Sequence, residues 1–542
     1  MSKVKISRAF KLPFNITVRG ATAPNGIPYV RVAASGRHAW IQRGGFSGSG
    51  SAALRLLAAQ NIPLLASEWT QCRAQVAKLD SYPVTPLIDK PGWNGEHFAL
   101  PDGTVFSPTA EGKPVVLFPV STQKCAAAGT LVTWQKLSSL LQDQHLASFV
   151  VFAAFAAPLL ALTDGVLNFG FELVGPGGVG KSTLQRVAAA VCGPADNPLG
   201  PNYWISADAT INGLERAMIE HRDMPLILEE LNLYAAGESD TVRARKLREL
   251  AFKLANRTDK LRYGESVPQN SPLVYITSAN EPLAELLAGK HMPVAGSAID
   301  RLMTIPIGAD RQYGIFDFLP PGFPNSGKLA EHLSREICKC YGVAIRQFLE
   351  HLVIERAKNP EAFAKKIRSS IEFFRRKVKV DANDGSETRV ADAHGLVYAG
   401  ARLAVRYGAI SKDLDPLEAA LETYKLSQSA RAKPENLARK LRGFLDRTLD
   451  DLEVDPHNLK DLSDSEIDAA DVIVRKFRNG RRELLFTEAQ LKRAFSNTRA
   501  LFADPEVQAM MITEKGRKQT KRQIRLNKGL ERFHVFILPA SE

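Results

Sequence analysis

One short run limits this chain more than any other: Gly175, Pro176, Gly177, Gly178, Val179, Gly180, Lys181, Ser182 and Thr183 fill the pattern GxxxxGK[ST]. The apolar run Phe169-Gly-Phe-Glu-Leu-Val174 precedes it as a strand, and Thr183-Leu-Gln-Arg-Val-Ala-Ala-Ala-Val continues it as a helix. A glycine-rich turn between a strand and a helix lets backbone N–H groups converge on phosphate oxygens, and the helix N-terminus adds positive potential. In that setting Lys181 reaches the β- and γ-phosphates and Ser182 ligates Mg²⁺. The expected ligands are therefore ATP and Mg²⁺.

Such a loop needs an acidic partner on a neighbouring strand to place both the metal and the attacking water. Met224-Pro-Leu-Ile-Leu-Glu229-Glu230 supplies one: Glu229 for the metal shell, directly or through water, and Glu230 to polarise the water. Leu273-Val-Tyr-Ile-Thr-Ser-Ala-Asn280 is a further buried strand, ending in an Asn that can orient the same water. Strand-like runs alternate with helices from Gly170 to Ile307, the pattern of a parallel α/β sheet.

The whole chain has 542 residues, 45% of them hydrophobic and 24% charged, ordinary values for several globular domains. Its net charge of +13 favours a polyanionic partner, with nucleic acid first. Five scattered cysteines without a CxxC pair argue against a disulfide framework or zinc site and for a reducing cytoplasm. The opening MSKVKISRAFKLPF lacks the apolar core of a secretory signal. Leu146 to Leu162 is apolar but short for a membrane span and reads as a buried helix, so no membrane partner is expected.

Composition shifts divide the chain. Residues 1–85 read as an N-terminal α+β accessory domain, and 86–168 as a β-rich connector with an alanine-rich helical lead-in. Residues 169–327 read as the ATPase core and 328–430 as a helical domain. Residues 431–542 read as a basic, winged-helix-like C-terminal domain. The run from Lys515 to Arg532 carries Lys518, Lys521, Arg522 and Arg525, interleaved with Ile524 and Leu526, and suits DNA-binding strands of a wing. Arg257, Lys260 and Arg262 form a second basic stretch, a hairpin between the two catalytic strands.

Beyond these motifs the chain resembles a prokaryotic family, the domain of unknown function 927. Its members occur in phage, plasmid and genomic-island replication proteins and are related to superfamily-3-like AAA+ helicases. The resemblance runs through Gly92-Trp93, Phe98-Ala-Leu-Pro101-Asp102, Gly129-Thr-Leu-Val-Thr-Trp134 and the P-loop. It continues through Asn212-Gly-Leu-Glu215, Leu254-Ala-Asn256-Arg257 and Asp300-Arg301-Leu. It implies that Arg301 is an arginine finger reaching the γ-phosphate of a neighbouring subunit, and that Arg257, Lys260 and Arg262 point into a ring's pore. Two departures stand out. The family's usual Ser-Ser-x-Gly-Lys-Thr-Thr loop is Gly177-Gly-Val-Gly-Lys-Ser-Thr183 here, and Glu229 replaces the common Asp, which favours a water-mediated metal contact.

The expected fold is α/β: an AAA+ P-loop NTPase core with an N-terminal α+β accessory domain and a C-terminal helical and winged-helix part. The expected function is an ATP-dependent ring motor on single-stranded or forked DNA, a hexameric replicative helicase of a mobile genetic element working with other replication proteins. Two alternatives keep the same P-loop: an ATP-switched DNA-binding initiator or loader, and a regulatory NTPase of a defence complex.

Overall fold

The computed structural model describes residues 16–24, 26–34, 36–109, 114–118, 124–197, 200–256, 271–284, 301–308, 311–381, 383–431, 441, 452–455, 459–470, 472–478, 482–494, 498–503, 505–514, 517–519, 521–526 and 529–538. These divide into two compact units. One is drawn from 1–236, 249–280 and 300–424, the other from 237–248, 281–299 and 425–542.

The first unit opens with an antiparallel sheet of β1 (Thr17–Thr22), β2 (Pro28–Ala34) and β3 (Arg37–Gln42), followed by α1 (Ser51–Ala59) and α2 (Ala66–Ala77). Alternation decides its faces: Val30, Val32, Ala39 and Ile41 are buried against Ala53, Leu57, Trp69 and Cys72 of the helices. Short strands follow: β4 (Leu87–Ile88), β5 (Gly92–Asn94), β6 (His97–Ala99), β7 (Val105–Phe106) and β8 (Val115–Val116). Then come α3 (Leu131–Ser139) and α4 (His145–Leu160). From Leu146 to Leu160 every residue of α4 is buried. No helix among the described residues is long and apolar enough to cross a membrane.

Beside α4 lies a five-stranded parallel sheet. Its strands are β9 (Phe169–Val174), β10 (Ile205–Ser206), β11 (Pro225–Glu229), β12 (Val274–Ala279) and β13 (Leu302–Pro306), in the order β10-β11-β12-β9-β13. Its central strands are buried throughout and largely apolar, as a sheet covered on both faces requires, with Glu172, Thr277 and Ser278 as buried polar exceptions. The helices between them are α5 (Lys181–Ala190), α6 (Ile211–Glu220) and α7 (Asp240–Ala255). Gln185 of α5 donates from Nε2 to Leu228 O and Ile276 O, pinning this helix to two strands.

Five longer helices follow: α8 (Ser326–Ile337), α9 (Val343–Lys358), α10 (Pro360–Val378), α11 (Gly385–Arg406) and α12 (Pro416–Arg431). A Cβ on Gly400 would lie 2.8 Å from the Phe155 backbone, so α11 meets α4 at a distance only glycine permits. Arg375 of α10 grips Asp392 of α11 with two charge-assisted bonds.

The second unit holds β14 (Leu452–Val454), α13 (Asp464–Ala469), β15 (Ile473–Lys476) and β16 (Arg482–Phe486). Three short helices follow: α14 (Glu488–Ala494), α15 (Thr498–Ala503) and α16 (Pro505–Ala509). Last come β17 (Ile512–Glu514), β18 (Arg517–Gln519), β19 (Arg522–Leu526) and β20 (Gly529–Leu538). One sheet runs β14-β15-β16-β20-β19, with β17 and β18 paired separately. Leu484, Phe486 and Phe536 bury one of its faces with Leu491, Leu501, Val507 and Met510, while Ile473, Leu485, Ile524 and Val535 bury another cluster.

Candidate active site

The loop from Gly175 to Gly180 crosses from β9 to α5, and three of its four glycines are needed where they stand. Gly178 and Gly180 have φ of 81° and 98°, backbone that L side chains rarely adopt. A Cβ on Gly175 would come 2.4 Å from Ile307 O, and one on Gly180 would press on Ile315. The last contact exposes a support that motif reading missed. Ile315 N donates to Val179 O at 3.0 Å, and Gly314, at φ 63°, passes so close that a Cβ would sit 2.5 Å from the same oxygen. The only sequence hint was a glycine inside Tyr313-Gly-Ile315.

Lys181 stands on the first turn of α5 with Ser182 and Thr183, all three half-buried. Its ammonium donates to Gly175 O at 2.5 Å, to Pro176 O at 2.9 Å and to Asn280 Oδ1 at 3.3 Å. Partial burial lowers its pKa, and the Glu230 carboxylate opposes that shift. The charge is held against the carbonyl oxygens of Gly175 and Pro176, in a glycine-rich turn of the kind that can receive a phosphate chain.

Glu229, Glu230 and Asn280 follow directly from strand ends. Glu229 closes β11, Glu230 is the next residue, and Asn280 comes right after β12, which separates β11 from β9. All three lie on the carboxyl edge of the parallel sheet beside the loop, the edge where open α/β sheets take their ligands. Glu230 is exposed, with φ 56° and ψ 67°, and its backbone N–H donates to the Ser278 hydroxyl at 3.3 Å. A left-handed Glu costs on the order of 1–2 kcal/mol. Strain of this kind gathers at functional sites, where the surroundings impose it.

Glu229 has a partner that sequence reading did not anticipate. Arg186 of α5 reaches it at 3.6 Å, lies 3.4 Å from Asp196 and stacks on the Trp204 ring at 5.4 Å. The carboxylate at the metal-shell position is thus already neutralised by a cation on the loop's own helix. Among the described residues no His, Cys, Asp and Glu cluster forms a protein-only metal cage. A metal bound chiefly by substrate phosphates and one or two side chains, such as Ser182 and Glu229, is compatible with that.

Arg301 stands elsewhere. It precedes β13, whose Leu302 pairs with Gly170 at the start of β9, so it lies at the opposite edge of the sheet from the loop. Along the strand that separation is roughly 17 Å. Its guanidinium donates to Ala255 O at 2.9 Å, at the end of α7, while its buried Nε has no described partner. Arg257, Lys260 and Arg262 lie outside the described residues.

The basic residues near the C-terminus are dispersed. Lys518 belongs to β18, and its side chain is outside the description; Lys521 pairs with Glu488 at 2.7 Å; Arg522 and Arg525 are exposed on β19. Gln523 stands opposite Arg532, and Arg525 opposite Leu530. One face of the β19–β20 hairpin therefore presents Arg525 and Arg532.

The sequence profile of a domain of unknown function, DUF927, matches residues 29–265. Over that stretch, less than half of its length, the chain is similar to DUF927 domains. The match takes in the glycine-rich loop, Glu229 and Glu230 and ends before Asn280 and Arg301. No curated protein matches. Among solved structures, one titled "SCCmec type IV Cch - active helicase" aligns over 99% of this chain and 95% of its own, at 15% identity and TM-score 0.57. That similarity is one of fold. The apo NrS-1 C-terminal region aligns over 72% of this chain and 87% of its own at 12% identity, with a TM-score of only 0.27.

Proposed function

We propose that this protein is an ATP- and Mg²⁺-dependent motor of the AAA+ type that acts on DNA as a hexameric ring, the replicative helicase of a mobile genetic element. One observation carries the reading: Lys181, Glu230 and Asn280 meet on the carboxyl edge of adjacent parallel strands, around a loop in which Gly175, Gly178 and Gly180 are required by close contact or by backbone conformation. The roles follow from placement. Loop N–H groups and Lys181 hold the phosphates, Glu230 polarises the attacking water, and Asn280 orients it. Bound Mg²⁺ would neutralise charge on the phosphates, held by Ser182 and, through water, by Glu229, whose carboxylate Arg186 already engages.

The domain plan proposed with it is an accessory domain over 1–85, a connector over 86–168, the core over 169–327, helices over 328–430 and a winged-helix-like end over 431–542. Arg301 is assigned to a neighbouring subunit's nucleotide, because it lies away from the loop of its own chain. DNA is assigned to the basic surface, which includes Arg522 and Arg525, with Lys518, Lys521, Arg257, Lys260 and Arg262 as further contacts. The chain's net charge of +13 supports that assignment.

ATP hydrolysis measured with and without single-stranded DNA, together with strand displacement on a forked duplex, tests the proposal. DNA-stimulated hydrolysis with displacement is expected. Hydrolysis without displacement would return the chain to an initiator or loader, and hydrolysis indifferent to DNA would make it a regulatory NTPase.

A further inference from the structure

The open face of the first sheet has no part in the nucleotide site. Register places Arg19 of β1 directly opposite Arg31 of β2, and Arg31 opposite Trp40 of β3, so the three share one cross-strand row. The residues on either side of them in sequence point the other way, where Val32, Ala39, Val30 and Ile41 form the core with α1 and α2. The next row on the open face is Thr17, Ala33 and His38, with Thr17 and His38 exposed. At the far end of the face Ala21 and Tyr29 pack on Leu87, with the half-buried Trp40 at the margin of that cluster. Trp40 is thus held by packing on one side while the row it belongs to stays open.

Charge makes this face unusual. Like charges directly opposite in a sheet destabilise it. Here Arg19 is exposed and Arg31 half-buried, and among the described residues neither has an ion-pair partner. The surrounding sequence supplies no carboxylate either. Residues 1–67 contain nine Lys or Arg and no Asp or Glu. The first carboxylate, Glu68, is buried and accepts the Leu65 N–H at 2.6 Å in the cap of α2. A sheet with two unneutralised guanidinium groups beside an indole anchored at its edge offers the two things single-stranded nucleic acid needs: cations for phosphates and a ring for base stacking.

We infer that the β1–β3 face is a binding site for single-stranded nucleic acid, with Arg19 and Arg31 on the phosphates and Trp40 stacked on a base. The site shares no residue with the nucleotide loop or the β19–β20 hairpin, and it stands whether or not the chain hydrolyses ATP.

The test uses the full chain without nucleotide and a fluorescein-labelled dT30 oligonucleotide, titrated over a range of salt. Replacing Arg19 and Arg31 together with Ala should flatten the log–log salt slope by about 1.4, at about 0.7 per phosphate contact on single strands. Trp40→Ala should weaken binding roughly tenfold, and Trp40→Phe should restore most of it. Photocrosslinking of a 5-iodouracil oligonucleotide should map to the peptide containing Trp40. Should Trp40→Ala fail to fold, the arginine pair and the crosslink decide, since Arg19 is exposed and Arg31 lies outside the core. An unchanged salt slope in the arginine double variant, or crosslinks confined to other peptides, overturns the assignment. Loss of this binding with DNA-independent hydrolysis intact would leave the ATPase reading standing, and binding that persists in a chain without hydrolysis would leave this one.

Discussion

The Lys181 ammonium and the Asn280 side-chain oxygen stand 3.3 Å apart, joining the phosphate loop to the end of the adjacent strand β12. The contact makes the two residues separable by mutation. Lys181→Ala removes the cation for the phosphates, so nucleotide binding and turnover should both be lost while the fold survives. Asn280→Ala keeps the cation but frees the water, and should lower kcat by roughly 10²-fold with little change in KM. Equal loss of nucleotide affinity in the two variants, measured by a fluorescent ATP analogue, would show that Asn280 serves only to hold Lys181.

Glu230 couples chemistry to strain. Its φ of 56° is imposed between the end of β11 and the Ser278 hydroxyl. Glu230→Gln retains the geometry and should bind ATP but not hydrolyse it. Glu230→Asn should also be inactive, yet more stable by about 1 kcal/mol, because Asn tolerates the left-handed region. Denaturant melts of both variants beside the parent check this; a less stable Asn variant would mean that the Glu side chain repays its own strain.

What was readable in advance follows from range. The phosphate loop is a local pattern, so nine consecutive residues disclosed it, and the strands that lead to Glu229 and Asn280 were legible because central parallel strands are predominantly apolar runs. The Arg186–Glu229 pair was not, since it depends on how α5 settles against β11, and neither residue is unusual for its element. Gly314 and Ile315 support Val179 from more than a hundred residues away, and no spacing rule links them. Near the C-terminus the density of charge was plain. That Lys521 pairs with Glu488 at the surface while Arg525 shares a hairpin face with Arg532 needed the folded structure.

A buried histidine gives the fold a pH dependence of known sign. His221 follows α6, its Nδ1 lies 2.7 Å from Ala217 O, and burial pushes its pKa below the ordinary 6.5. The unfolded chain therefore takes up a proton that the folded chain refuses. Stability from this group is complete above about pH 6.5 and is lost as pH falls through the folded value. His97, also lowered by burial, acts with the same sign. His221→Phe should lower Tm at pH 7.5 by losing a hydrogen bond, yet flatten the fall in Tm between pH 6.5 and 5. A parallel profile would assign the acid sensitivity to other groups.

Arg301 lies at the sheet edge opposite the phosphate loop and donates to Ala255 O. From there it cannot serve its own chain's nucleotide without crossing the sheet, so if it is catalytic it acts on a neighbour. Two roles then predict different behaviour. As a finger in trans, Arg301→Ala should leave the chain folded and assembled and should cut ATP turnover by roughly 10³-fold or more, given that such arginines contribute about 10³–10⁵. As a helix-capping group for α7, it should cost stability and spare turnover per folded molecule. Mixing the Lys181→Ala and Arg301→Ala proteins separates these outcomes. In a shared-site oligomer some interfaces combine an intact loop from one chain with an intact arginine from the next, so partial activity should return from two inactive parents. An Arg301→Ala protein that hydrolyses ATP at the parent rate, with a lowered Tm, would make Arg301 a cap and remove the ring's shared site.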